Sequence, residues 1–293
     1  MKFENRTLGR TGLSASPLGL STGGGTLPAR ELERAFERGI NYFYWGSYRA
    51  APFAEGVRNL VPRHRDDMRI VVQTYTRAAS LMKGSLERAV KKLGTDHADF
   101  LLLGWWNQPP PQRIVDAALA LKERGLAKHI IISCHDRNSF RGYITNPNYD
   151  AIMVRYNAVH PGAETEVFPH IGTNGPGVIS YTATRWGNLL DKTALPANDA
   201  HPRASDCYRF VLTNPAVNIA MCAPRDASDL DEALSTIDRG PMTDEELAWM
   251  KRVGAHVKQA TAGRRRFNPI EAMDRAVQWF TPKPTAGLNT SSD

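Results

Sequence analysis

Six aromatic residues fall in three short clusters, each at or just beyond the end of an apolar segment: Tyr44, Trp45, Tyr48, Tyr75, Trp105 and Trp106. Aromatic rings bind planar molecules and cations through their faces. A phenol can also donate a proton, although a tyrosine near its ordinary pKa of about 10 is a weak acid at neutral pH. We therefore expect either an aromatic-walled ligand pocket or a set of rings that merely fills a core.

Gly104 stands directly before two of these rings. A glycine leaves space that any other residue would fill, and a site that is simply plugged has no need of one. We expect Gly104 to open the pocket beside Trp105 and Trp106. A larger side chain at this position should block ligand binding and leave the stability nearly unchanged.

A second candidate group is the run Cys134, His135 and Asp136. Histidine titrates near neutrality and could act as a general base that faces the same pocket. A cysteine next to it could be a nucleophile. The simpler interpretation, which we favour, is that Asp136 caps the helix that follows. The sequence contains no His-Glu-x-x-His metal motif, Gly-x-Ser-x-Gly elbow or Walker loop.

These residues need a framework, and the apolar pattern predicts one. Eight short segments rich in Ile, Val and Leu alternate with helical patterns, at residues 17–20, 40–44, 68–74, 98–103, 127–133, 151–154, 177–181 and 217–222. Such strands are typical of a parallel sheet that is covered on both faces. A doubly wound sheet has the same alternation, but no Gly-x-Gly-x-x-Gly turn follows the first strand. The alternation predicts an α/β fold, and the missing turn favours a closed (β/α)₈ TIM barrel, which the family resemblance described below also implies.

Further elements flank the predicted barrel. Residues 2–16 have the turn residues and apolar flanks of a hairpin, and helices are predicted at 243–259 and 269–279. From residue 282 the chain is rich in Pro, Thr and Ser. We predict one domain over residues 1–281 and a disordered tail at 282–293.

The bulk composition limits the classes of partner. The net charge is +7 and the sequence pI is about 9.4, which fits either an anionic ligand or a solvated basic surface. The basic run at 264–266 lacks interleaved aromatic residues, so we expect no nucleic acid. Three scattered cysteines, no long apolar run and no apolar leader predict a cytoplasmic protein without a membrane span.

Several motifs resemble those of the aldo-keto reductases, and the match covers most of the chain. The most specific pieces are Leu-Gly-Arg-Thr-Gly-Leu at 8–13, Gly-Ile-Asn at 39–41, Gly-Thr-Asp at 94–96 and the tract 202–254. The resemblance implies a (β/α)₈ barrel with a hairpin on its floor. It also implies hydride transfer from NADPH to a carbonyl, with a tyrosine as the proton donor and an aspartate, a lysine and a histidine assisting it.

The resemblance assigns those four roles to positions that have largely changed. Tyr44 stands at the aspartate position, Tyr75 at the lysine position and Gly104 at the histidine position. Tyr48 is the best match for the tyrosine. Tyr44, Tyr48 and Tyr75 are the catalytic candidates, and Trp45, Gly104, Trp105, Trp106 and His135 are the candidates for the substrate pocket.

The positions that hold NADP in the family are also mixed. Ser133 and Cys134 match a Ser-Asn pair, Met153 matches a glutamine, and Tyr181 matches a stacking aromatic residue. Arg225 could hold a phosphate at the start of the last barrel helix, although acidic neighbours oppose an anion there. The resemblance implies a weakened NADP site.

Three functions remain open at this point. The first is an NADP(H)-linked oxidoreductase of aldo-keto reductase type with a substituted catalytic set and low carbonyl reductase activity. The second is a non-redox enzyme on the same barrel, such as an isomerase, a lyase or a hydrolase. The third is a catalytically silent binding or regulatory protein. In each, the ligand is expected to be small and planar or aromatic, and the sequence does not indicate the oligomeric state.

Overall fold

A computed structural model describes residues 2–23, 26–46, 50–74, 76–196 and 199–262. Its centre is a closed barrel of eight parallel strands, in which strands that are consecutive along the chain are neighbours and the last pairs with the first. The strands are β3 (Leu18–Ser21), β4 (Tyr42–Trp45), β5 (Arg69–Gln73), β6 (Ala98–Trp105), β7 (Ala127–Cys134), β8 (Ala151–Arg155), β9 (Gly177–Tyr181) and β10 (Ile219–Cys222). The predicted fold class is confirmed, and each strand overlaps its predicted segment.

A helix follows every barrel strand, as the alternation of patterns predicts. The helices are α1 (Ala29–Glu37), α2 (Ala51–His64), α3 (Ala79–Leu93), α4 (Gln112–Glu123), α5 (Phe140–Thr145), α6 (Ala163–Glu166), α7 (Ala204–Thr213) and α8 (Ala227–Arg239), with α9 (Asp244–Ala260) after them. In the described part of the chain, no helix has the length and apolar character needed to cross a membrane.

The barrel has two separate hydrophobic layers because successive side chains of a strand point to opposite faces of the sheet. The inner layer fills the barrel and contains Tyr42, Val71, Phe100 and Ile131. The outer layer, between the strands and the helices, contains the residues next to them in sequence, such as Phe43. A residue's place in the alternation therefore decides whether it lies inside the barrel.

The N-terminal hairpin closes the floor of the barrel. It pairs β1 (Arg6–Thr7) with β2 (Ser14–Ala15) in antiparallel fashion. Leu8 is fully buried in the inner layer. The backbone beside it is so close to the start of β9 that a Cβ atom on Gly9 would lie 2.1 Å from the amide nitrogen of Gly177. The predicted hairpin is confirmed.

The chain divides into two compact units, residues 1–260 and residues 261–293. The predicted helix at 269–279 and the predicted tail from residue 282 lie outside the described residues. The predicted domain boundary at residue 281 therefore stays a prediction.

Candidate functional site

The carboxyl ends of the barrel strands bring six inward-facing positions together around one opening, the place where active sites of such barrels are built. These positions follow the inner-layer residues by two along each strand. We call this set the rim: Tyr44, Gln73, Gly104, Ser133, Arg155 and Tyr181. Arg155 and Tyr181 are direct neighbours in the register of β8 and β9.

Tyr44 and Gln73 form a hydrogen-bonded pair on adjacent strands. The phenolic hydroxyl of Tyr44 donates to Oε1 of Gln73. Tyr44 is partly buried and packs on the inner layer of the barrel. The structure therefore gives this catalytic candidate a neutral amide as its neighbour.

Gly104 has a backbone reason to be glycine. Its φ is +73°, in the left-handed region that other residues rarely adopt, and the pairing of β6 with β7 shifts register between Leu102 and Trp105. A Cβ atom here would lie 3.1 Å from Nε2 of Gln73 and 3.2 Å from the carbonyl oxygen of Thr74. The expectation that bulk at Gly104 would leave the stability nearly unchanged is therefore wrong.

Three aromatic rings, including that of Tyr181, lie close together at the rim. The ring centroids of Trp105 and His135 are 3.9 Å apart, and those of His135 and Tyr181 are 5.7 Å apart with an interplanar angle of 23°. Tyr181 donates its hydroxyl to the carbonyl oxygen of Cys134 at 3.3 Å. This bond and the stacking hold the Tyr181 ring in place. Trp105 and His135, both expected in the substrate pocket, are thus brought together.

His135 is kept neutral by its surroundings. Burial, and in second place the positive charge of Arg155, lowers the pKa of His135 from its ordinary value to about 3. The predicted cap next to it is present, since Asp136 accepts a hydrogen bond from the backbone N–H of Asn138 at 3.2 Å. A histidine with this pKa is a very weak base and has almost no positive charge near neutral pH.

Three of the candidates lie in the outer layer. Trp45, Trp106 and Cys134 all belong to the cluster between the strands and the helices, and none is more than 8% exposed. Trp106 donates its indole N–H to the carbonyl oxygen of Leu103, and the guanidinium of Arg77 lies 3.7 Å from the centre of its ring. The structure therefore separates Trp45 and Trp106 from Tyr44, although they are expected in one pocket.

Some of the expected cofactor positions face the inside of the barrel, and others lie in the outer layer. Ser133 faces the rim and donates its hydroxyl to the carbonyl oxygen of Gly104 at 2.7 Å. Met153 lies in the inner layer and brings no polar group. The thiol of Cys134 donates instead to the carbonyl oxygen of Asp136 at 3.0 Å.

Arg225 lies on the surface between β10 and α8. Its side chain is 73% exposed and forms an ion pair with Asp229, with Nε 2.7 Å from Oδ2. Asp226 caps α8 by accepting a hydrogen bond from the backbone N–H of Asp229. The acidic neighbours that the sequence shows are therefore in contact with this arginine or with the start of its helix.

Two catalytic candidates, Tyr48 and Tyr75, lie outside the described residues. Among the residues that the structure describes, no group of three or more His, Cys, Asp and Glu side chains could hold a metal ion.

Three residues of this region have no role in the expectations drawn from the sequence. Gln73 and Arg155 belong to the rim, and Asn107 accepts hydrogen bonds at its Oδ1 from the indole of Trp105 and from the backbone N–H of His135. A signal for Arg155 was available: it follows Met153, an expected inward residue, by two positions and is the one charged residue of its strand. Because every second residue of a strand faces the same side, Met153 identifies Arg155 as an inward-facing residue.

The family model described as "Aldo/keto reductase family" matches residues 28–206, which is more than half of the chain. The chain belongs to the aldo/keto reductase family. No curated protein matches its sequence.

Solved aldo-keto reductases have the same fold at low identity. AKR11C1 from Bacillus halodurans, in its holo form, is 19% identical with a TM-score of 0.72, over 85% of this chain and 96% of that one. An aldo/keto reductase from Klebsiella pneumoniae, solved with NADP and acetate, is 18% identical with a TM-score of 0.71 over the same shares. At such identities the likeness shows the fold alone.

The left-handed backbone at Gly104 generates the first prediction. Gly104→Ala should lower the free energy of unfolding by about 1–2 kcal/mol, because a Cβ atom is strained at positive φ and crowds Gln73. The measurement is urea denaturation followed by circular dichroism. Gly142→Ala is the control, since Gly142 lies in α5 with nothing within 4 Å of its added Cβ. Equal stability of the two variants would contradict the assignment.

The second prediction follows from the neutral state of His135. In the unfolded chain this histidine takes up a proton below its ordinary pKa of about 6.5, whereas the folded form stays neutral down to about pH 3. Its contribution to stability is therefore lost as the pH falls through this window. His135→Phe should lose less stability than the unmodified protein between pH 7 and pH 4.5, as measured by urea denaturation. If both proteins lost the same stability over this pH range, the pKa of His135 would not be lowered by folding.

Proposed function

We propose that the protein is an NADP(H)-linked oxidoreductase of the aldo/keto reductase type in which the usual proton-donor set is replaced. The observation that carries this proposal is the Tyr181 ring, which is held in the rim at the carboxyl end of β9. A fixed aromatic face in the opening of the barrel suits a flat heterocycle such as nicotinamide. Family membership supports the same conclusion.

The residues present fit the cofactor in part. Tyr181 and the hydroxyl of Ser133 would hold the nicotinamide, and Arg225 would hold a phosphate. The ion pair that engages Arg225 is exposed, and such pairs contribute only about 0–1 kcal/mol, so breaking it costs little. Cys134 and Met153 offer the nicotinamide no polar contact, and we expect weaker binding for that reason.

Bound NADPH would supply the hydride that reduces a carbonyl compound. The chain itself must then supply a proton, and of the two described phenols of the rim, Tyr44 is the catalytic candidate. Its partner, the amide of Gln73, is uncharged, so it does not provide the cation that makes a tyrosine an effective acid near neutral pH. Proton donation should therefore be slow, and the reduction of ordinary carbonyl compounds should be slow with it.

The third prediction tests cofactor binding through the Tyr181 ring. The unmodified protein should bind NADPH, and Tyr181→Phe should retain that affinity because the ring remains. Tyr181→Leu should weaken binding about 5-fold or more, since a lost aromatic contact costs about 1 kcal/mol. The measurement is a fluorescence titration with NADPH. Loss of affinity in both variants would assign the effect to the hydroxyl.

No NADPH binding by the unmodified protein would overturn the proposed function. The disagreement at Cys134 and Met153 would then favour the second candidate, a non-redox or binding role for the same opening. Circular dichroism on each variant should show an intact fold, so that a lost affinity reports on the site.

The fourth prediction concerns turnover. With saturating NADPH and a reactive aldehyde such as 4-nitrobenzaldehyde, kcat should fall well below about 1 s⁻¹, the low end of ordinary enzyme rates. The reason is the loss of the charged members of the catalytic set, which act together and not additively. NADPH oxidation followed by absorbance is the measurement. An ordinary rate would show that another group has taken over the proton transfer.

A further inference from the structure

Asn107 joins two loops at the opening of the barrel. It lies two positions after the end of β6, in the loop that leads to α4. Its Oδ1 atom accepts hydrogen bonds from the loop after β7, namely from the backbone N–H of His135 at 2.9 Å and from that of Asp136 at 3.1 Å. Its backbone carbonyl oxygen accepts a further bond from the hydroxyl of Ser139 at 2.7 Å. One residue of the first loop therefore holds three residues of the second.

The same Oδ1 atom also holds an aromatic side chain. It accepts the indole N–H of Trp105 at 3.2 Å. The Trp105 ring lies against that of His135, which in turn lies against that of Tyr181. A single oxygen atom thus fixes the indole of Trp105 and the backbone of His135 relative to each other, and with them the order of the three rings.

The position needs a hydrogen-bond acceptor of this length. The contacts of Oδ1 with Trp105, His135 and Asp136 are all made by N–H groups, so the oxygen of the amide and not its NH₂ group must face them. A leucine has a similar size but accepts no hydrogen bond, and it would leave these partly buried N–H groups without this partner. An aspartate keeps the acceptor in the same place.

The strands below are joined by hydrogen bonds that do not involve Asn107. The backbone N–H of Trp106 donates to the carbonyl oxygen of Ser133 at 2.8 Å, and the hydroxyl of Ser133 donates to the carbonyl oxygen of Gly104 at 2.7 Å. These bonds connect the backbones of β6 and β7. Loss of the Asn107 amide should therefore leave the pairing of the strands intact and release the rings above it.

We propose that Asn107 is a positioning residue that orders the rings of Trp105, His135 and Tyr181 into the flat face on which a planar ligand binds. The inference rests on the proposed function for the identity of that ligand, the nicotinamide of NADP(H). Rings that are already ordered lose little conformational freedom when the ligand binds, so the ordering strengthens binding. Without the acceptor, the ligand itself would have to order the rings, and the affinity would fall.

The first experiment needs no ligand and follows the imidazole of His135 by NMR. Its resonances are identified by their absence from His135→Phe. In the unmodified protein, burial lowers the pKa of His135 to about 3, so the resonances should not titrate between about pH 8 and pH 4.5. In Asn107→Leu the imidazole should become exposed, and its pKa should rise toward the ordinary value of about 6.5.

The control for this experiment is Asn138→Leu. The side chain of Asn138 is exposed in the second loop, and its backbone N–H belongs to the cap formed by Asp136. The same chemical change is therefore made close to His135, without loss of the acceptor that holds the rings. Asn138→Leu should leave the titration of His135 as it is in the unmodified protein.

The second experiment measures the affinity for NADPH by fluorescence titration. Asn107→Leu should weaken binding about 5-fold, as is expected for Tyr181→Leu. The variant that carries both substitutions should lose much less than the roughly 25-fold that two independent effects would give, because both act on the same ring face. Asn107→Asp should bind within about twofold of the unmodified protein, since it keeps the acceptor.

The inference is overturned if Asn107→Leu folds and His135 still does not titrate, or if its loss of affinity adds in full to that of Tyr181→Leu. Equal losses in Asn107→Leu and Asn107→Asp would also overturn it, because the acceptor would then have no role. If circular dichroism shows that Asn107→Leu does not fold, Asn107→Ala replaces it in both experiments. Failure of both variants to fold would make Asn107 a purely structural residue.

The two experiments separate this inference from the proposed function. If the unmodified protein binds no NADPH, the proposed function fails, and the titration of His135 alone decides whether Asn107 orders the rings. If NADPH binds and Asn107→Leu leaves its affinity unchanged, the inference is overturned and the proposed function stands.

Discussion

The closed parallel barrel imposes one constraint on everything at its opening: each strand can send only every second side chain inside. The last inward position of a strand belongs to the rim, and its neighbour belongs to the outer core. This separates Tyr44 from Trp45 and Ser133 from Cys134, although each pair is adjacent in sequence. A single step in the alternation thus decides which residues can meet a ligand.

Closure also determines the electrostatics of the opening. The described rim brings together two phenols, an amide, a hydroxyl and a guanidinium, while His135 beside it stays neutral because it is buried next to Arg155. The fixed positive charge therefore sits on the β8 and β9 side, and the Tyr44–Gln73 pair on the far side is uncharged. A charge in a partly buried site interacts more strongly with other charges than it does in water. The aromatic rings near His135 supply a flat face for a ligand.

The fold could be predicted from the sequence because each strand is a short apolar run and each run is followed by a helical pattern. Membership of the rim was harder to predict, since apolar runs covered on both faces give no alternation of polar and apolar residues from which to count. Trp45 and Trp106 look like pocket residues for this reason, and only their burial in the outer layer shows otherwise. Gly104 illustrates a second limit. Its φ of +73° follows from a register shift between two strands, which is a tertiary feature that local sequence does not encode. Arg155 could have been found, because Met153 fixes the count along β8.

The identity of the rim residues bears on whether the opening is a site or a filled remnant. If the aromatic rings only filled a former pocket, apolar side chains would be the neighbours with the lowest free energy. Arg155 is the opposite, a guanidinium with a buried Nε and no hydrogen bond to any described residue. Three non-glycine residues in left-handed conformations follow β9 at the same side of the opening, and each costs about 1 kcal/mol or more. Both features lower the stability of the unliganded protein. Neither feature is expected of an opening that has only been filled with apolar side chains, so we interpret it as a candidate site.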